Sequence, residues 1–124
     1  MKYSNVEVRE LSGHITEAEL QRTVIEMAQA LGWRVAHFRP ALTSRGWRTP
    51  VEADGKGFPD LVLCRKPRVL FVELKRDGAM PTADQRLWLN AFYGCPGVET
   101  YVWRPRDMDE IKRLLALKVV EVTA

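Results

Sequence analysis

Gly57-Phe58-Pro59-Asp60-Leu61-Val62-Leu63-Cys64 leads through a short turn into Val69-Leu70-Phe71-Val72-Glu73-Leu74-Lys75. Both runs are apolar and read as strands, and three charged side chains stand at one end of the pair they would form. Folding the segment back at Lys66-Pro67 places Asp60 opposite Glu73, and directly opposed residues of an antiparallel pair have Cβ atoms about 4.5–5.5 Å apart. Strand side chains alternate, so Lys75, two residues beyond Glu73, emerges on the same face. Two carboxylates and an ammonium then share one small volume. A buried sheet has no structural need of this triplet, whereas a hydrolase working with a divalent metal does.

The rest of the ribbon is apolar on both faces: Leu61, Leu63, Leu70, Val72 and Leu74 on one, Val62, Cys64, Val69 and Phe71 on the other. That pattern predicts central strands covered on both sides. Upstream, Thr16-Glu17-Ala18-Glu19 is a capping box, and Leu20, Val24, Met27, Ala28 and Leu31 recur at helical spacing until Gly32. Trp33 to Arg39 alternates as a strand ended by Pro40, and from there to Gly57 no periodicity is visible. A loop of that length is usually functional or disordered. Downstream of Asp77-Gly78, a second box, Thr82-Ala83-Asp84-Gln85, opens a helix through Tyr93 with Leu87, Leu89, Ala91 and Phe92 for packing. Gly94 and Pro96 end it; Val98 to Trp103 is a fourth strand; Asp107 caps a last helix carrying Met108, Ile111, Leu114 and Leu115. Val119 to Val122 adds an edge strand or nothing. The predicted order is α-β-β-β-α-β-α, an α/β fold with a mixed central sheet flanked by helices.

At 124 residues the chain is expected to be one domain, residues 1–124, able to bury about two-thirds of its unfolded surface. A net charge of +3, from 19 basic and 16 acidic residues, suits a polyanion partner without requiring one. Cys64 and Cys95 are far apart, with no paired spacing and no accompanying histidine cluster, so neither a disulfide framework nor a zinc site is indicated; Cys64 reads as a core residue in a reducing compartment. Residues 1–13 have no apolar run, and none elsewhere is long enough to cross a bilayer, so a cytoplasmic protein with no membrane partner is expected.

Mg²⁺ takes oxygen ligands and is commonly held by one or two carboxylates plus substrate phosphate, which Asp60, Glu73 and the backbone carbonyl of Leu74 could provide. Lys75 would orient or deprotonate a water, or stabilise charge building on phosphorus; the residues leave these roles open. The Pro59-Asp60 … Glu73-Leu74-Lys75 pattern resembles the signature of the PD-(D/E)xK phosphodiesterase superfamily, whose restriction-endonuclease-like core has the order αβββαβ. The predicted order matches it from Thr16 to Trp103, with one C-terminal helix, about residues 107–117, appended. More narrowly, Glu19-Leu20-Gln21, Gly57-Phe58-Pro59-Asp60, and Gln85 followed by Trp88 resemble the virus-type replication-repair nuclease (VRR-NUC) family.

That resemblance implies a Mg²⁺- or Mn²⁺-dependent DNA endonuclease, often acting on branched DNA such as Holliday junctions or flaps, working as a homodimer in a bacterial or phage-infected cell. By residue it implies Asp60 and Glu73 as metal ligands, Lys75 as catalytic lysine, Glu19 as first-helix acid at the metal and Gln85 as accessory glutamine. Glu19 and Gln85 are each also the third residue of a capping box, which explains them equally. His37 reads either as lining the site or as a core histidine. Arg39, Arg45, Arg48, Lys56 and Arg76 could grip phosphates, with Trp47 stacking on an unpaired base, or form a solvated surface. Trp88 and Trp103 read as core or interface. Two other classes compete with the nuclease: a nucleic-acid-binding module without chemistry, and an assembly domain using the Trp88 and Tyr93 helix as a dimer surface.

Overall fold

The Thr16 hydroxyl accepts the Glu19 N–H at 3.1 Å, and the Glu19 carboxylate accepts the Thr16 N–H at 3.4 Å. Two otherwise orphaned amides are thereby satisfied at the start of helix α1, Glu17–Ala30. A computed structural model describes residues 15–38, 41–44, 46–48 and 51–119 of the chain. In it α1 buries Leu20, Val24 and Ala28, one stripe at helical spacing, and ends at Leu31 and Gly32, where φ reaches +88°.

Six strands follow or interleave: β1 (Arg34–His37), β2 (Ala41–Thr43), β3 (Gly46–Arg48), β4 (Leu61–Arg65), β5 (Arg68–Leu74) and β6 (Val98–Trp103). Helix α2 (Ala83–Tyr93) connects β5 to β6, and a 3₁₀ turn (Pro105–Asp107) leads into α3 (Met108–Ala116). The main sheet has the order β1-β4-β5-β6; its first three strands are antiparallel and β6 is parallel to β5, as a helical crossover requires. The result is the mixed α/β sheet flanked by helices that the sequence predicts, with α3 appended after the αβββαβ order. The β4–β5 register pairs Leu61 with Val72 and Arg65 with Arg68. It is the register obtained by folding the chain at Lys66-Pro67.

Several expectations need correction. The segment from Pro40 to Gly57 contains a hairpin, β2 against β3, with Ala41 opposite Arg48 and Thr43 opposite Gly46. Strands of three residues are too short to show alternation. The sheet is not equally covered on its two sides. Leu61, Leu63, Leu70, Val72 and Leu74 are wholly buried against α1 and α3, whereas Val62, Val69 and Phe71 are half-buried and Cys64 is exposed. Helix α2 packs on β5 and β6 and leaves the Arg34–Cys64 corner of the sheet open. That helix buries no side chain fully, and its Leu87 and Ala91 face solvent. Asp107 makes no side-chain cap to α3; its carboxylate accepts the Arg104 N–H at 2.9 Å, closing the 3₁₀ turn instead. Val119 lies in no strand, and the remainder of the expected edge strand, 120–122, is outside the described residues.

The end of the sheet away from Asp60 is fastened by arginines. Arg68, 3 % exposed, binds both oxygens of buried Glu99 at 2.7 Å, and the Tyr101 hydroxyl donates to the same carboxylate at 2.6 Å. That proximity, with burial first, pushes the Tyr101 hydroxyl well above its ordinary pKa. Arg68 also donates to the carbonyls of Leu114 and Leu117, Arg65 to those of Leu31 and Leu117, and the Trp33 indole to that of Leu115. Both guanidinium groups lie over the Trp33 ring, 4.6 and 5.0 Å from its centre. These donors meet carbonyls that the ends of α1 and α3 cannot satisfy internally. No helix among the described residues is long and apolar enough to cross a membrane.

Candidate active site

Gly57 has φ +82°, and a Cβ there would stand 2.5 Å from the Asp84 carbonyl carbon and 2.7 Å from the Gln85 nitrogen. Only glycine can take that backbone conformation against the start of α2 without strain or clash. The next residue, Phe58, sets its ring edge-on to Phe38, Phe71, Trp88 and Phe92, and Pro59 is fully buried. Asp60 is therefore delivered by an anchored turn, and it is held twice more. Its carbonyl accepts the Phe38 N–H at 3.0 Å, extending the β1–β4 pairing, and its Oδ2 accepts the Leu74 N–H at 2.8 Å.

Glu73 is 1 % exposed at the end of β5. Its Oε1 is 3.7 Å from the Lys75 Nζ, and its Oε2 has no hydrogen-bond partner. An unpaired buried carboxylate oxygen is costly. Burial, then the charge of the Asp60 carboxylate beside it and the hydrogen bond the two carboxyls share, push the Glu73 carboxyl up to about 8, against the pull of Lys75. Lys75 is itself mostly buried, and its N–H donates to the Trp103 carbonyl at 3.0 Å, tying the site to the end of β6. Asp60, Glu73 and Lys75 are thus brought together, and the Leu74 backbone passes between them.

The acid that α1 offers this cluster is Glu17. It is half-buried at the first helical position, and its carboxyl is pushed up chiefly by burial and by Asp60, while Lys75 and Arg76 draw it down. Its charge in turn raises Glu73. Glu19, the first-helix acid expected from the sequence, is exposed and occupied with the Thr16 cap. The signal was present in the spacing: Glu17 falls on the stripe of Leu20, Val24 and Ala28, whereas Glu19 is rotated about 100° from Leu20. Gln85 likewise caps, its Oε1 accepting the Thr82 N–H at 2.8 Å. Its backbone, not its side chain, meets the Gly57 turn.

His37 pairs with Leu61, whose side chain is wholly buried, and is itself half-buried on that leucine face of the sheet. Of the basic residues, Arg76 is exposed beside the site and Lys56 forms an exposed pair with Asp84 at 3.4 Å. Trp47 and Arg48 lie in β3, and Arg39 and Arg45 are outside the described residues.

Among the described residues no three His, Cys, Asp or Glu side chains are gathered as a metal-binding group. Two carboxylates and a main-chain carbonyl nevertheless suit Mg²⁺, which keeps several waters, and the partnerless Glu73 Oε2 is the kind of atom a cation would satisfy. The donor set is all hard oxygen, which suits Mg²⁺ or Mn²⁺ better than zinc. No family model matches the chain, and no curated protein matches it.

Proposed function

We propose that the chain is a divalent-metal-dependent DNA endonuclease of the VRR-NUC type, hydrolysing phosphodiester bonds in branched, flap or junction DNA. The observation that carries the reading is the buried Glu73 carboxylate, with one oxygen unpartnered and the other beside Lys75, facing an Asp60 fixed by the Leu74 amide. Asp60 and Glu73, with the Leu74 carbonyl, would hold Mg²⁺ or Mn²⁺. When bound, the ion supplies Lewis acidity toward a phosphoryl oxygen and a more acidic water. Glu17 adds negative charge from α1 that favours a cation at this point. Lys75 orients the attacking water or offsets charge accumulating on the phosphoryl oxygens. Arg76, exposed beside it, meets the phosphate on one side of the cut. A four-way junction is two-fold symmetric and needs two cuts, which favours a pair of chains as the working unit in a bacterial or phage-infected cell.

The test is to incubate the protein with junction, flap, duplex and single-stranded DNA, with and without Mg²⁺ or Mn²⁺. Cleavage that requires the ion, and is lost in Lys75→Ala with folding intact, is expected. Cleavage indifferent to chelator overturns the reading.

A further inference from the structure

Three aromatic rings climb from the sheet to the surface as a stack. Phe71 and Phe92 lie face to face, centroids 3.8 Å apart and planes 11° apart, and Trp88 continues the series at 5.5 Å and 29° from Phe92. Phe58 braces all three edge-on from the turn that carries Asp60. The Trp88 indole is pinned once more, its Nε1 donating to the Asp54 carbonyl at 2.9 Å. A ring fixed from below and from the side has lost its rotamer freedom before any ligand arrives. It nonetheless lines an open cleft of about 400 Å³, whose other walls are Asp54, Lys56, Asp84, Leu87 and Ala91. That volume is in the range of small-molecule sites, about 300–1,000 Å³. The Lys56 ammonium, 84 % exposed, stands at the rim 3.4 Å from the Asp84 carboxylate, a solvent-exposed pair that a phosphate can exchange for at little cost.

We propose that this cleft holds one unpaired nucleobase, stacked as a further ring beyond Trp88, with Lys56 meeting the adjoining phosphate. The stack favours a flat aromatic occupant, because offset parallel rings attract and a base has a π-face whatever its identity. An aliphatic side chain from another protein would fill the space without using that preference. The choice of DNA as the source of the base rests on the function proposed above, and branched substrates expose unpaired bases near the bond to be cut. Selectivity for such substrates then resides in α2 and the Gly57 turn, next to Asp60, and not in the carboxylates.

The experiment measures binding by anisotropy in chelator, so that nothing is cleaved, using a labelled single strand and the matching full duplex; 2-aminopurine in the strand reports stacking by quenching. Ala91→Trp fills the cleft and Leu87→Gln removes its apolar wall, both at exposed positions that leave the core untouched. Each is expected to weaken single-strand binding by about 5- to 150-fold, the ordinary worth of a stacked base, and to abolish the quenching. Duplex affinity stays unchanged, and Trp88→Phe, which keeps the ring, retains most of the single-strand affinity. The inference falls if Ala91→Trp leaves single-strand affinity intact, weakens both ligands equally, or instead dissociates a dimer in sedimentation. A wild type that never cleaves but loses single-strand affinity on Ala91→Trp removes the nuclease reading and keeps the base site; metal-dependent cleavage with unaltered single-strand affinity does the reverse.

Discussion

Glu73 is the residue on which charge and burial are most opposed. Its carboxyl titrates near 8 when folded and near 4.5 as a free side chain, so the folded chain holds a proton that the unfolded chain gives up. The stabilisation from that proton is complete below about pH 4.5 and is lost as pH rises through the folded value. In chelator, the thermal midpoint of the wild type is therefore expected to fall between pH 5 and 8 relative to Glu73→Gln, which has no proton to lose. Mn²⁺ at pH 8 is expected to raise the wild-type midpoint and leave that of Glu73→Gln nearly still, since a ligand stabilises through its affinity for the folded state. Glu17 and Glu19 separate in the same way. Glu17→Gln should cost about 10- to 100-fold in metal affinity or cleavage, the usual effect of an outer carboxylate. Glu19→Gln keeps a residue competent for the capping box and should leave cleavage unaltered. Equal losses in the two variants would remove Glu17 from the site.

Among elements, the turn from Gly57 to Asp60 is where backbone and function meet. Gly57→Ala adds a clash with the start of α2 to the strain of a positive φ, whereas Gly78, at φ +81°, has nothing within 4 Å of the added methyl. Gly78→Ala should cost only the backbone term, about 1 kcal/mol, and Gly57→Ala more, with cleavage reduced because Asp60 shifts with the turn; paired melting curves check this. The β4–β5 ribbon was legible in the sequence because two continuous apolar runs flank the short Lys66-Pro67 turn, and folding there sets the register that the strands adopt. Asp60, Glu73 and Lys75 followed from that register alone. Glu17 was not singled out because the resemblance rests on Glu19-Leu20-Gln21, while the buried stripe of Leu20, Val24 and Ala28 extends back to Glu17 and passes Glu19 by. The β2–β3 hairpin was hidden by its brevity. Cys64 was misplaced because apolarity on both faces of a strand does not say how far a single covering helix reaches.

At the scale of the molecule, the ion pair of Arg68 and Glu99 was illegible for another reason: its partners are 31 residues apart, joined only when the crossover sets β6 beside β5. Arg68→Met leaves Glu99 buried without its cation and should cost about 3–5 kcal/mol, while adding Glu99→Met recovers most of the loss. Denaturant unfolding of the single and double variants measures both. The two sides of the sheet differ in what they commit to the core: α1 and α3 are locked to it by leucines and arginines, and α2 contributes no fully buried side chain. Cohesion is thus lopsided. The amides of α2 should take up deuterium before those of β4 and β5, so any strand that the proposed base site draws against the Trp88 side would meet a helix that can yield while the frame carrying the carboxylates stands still.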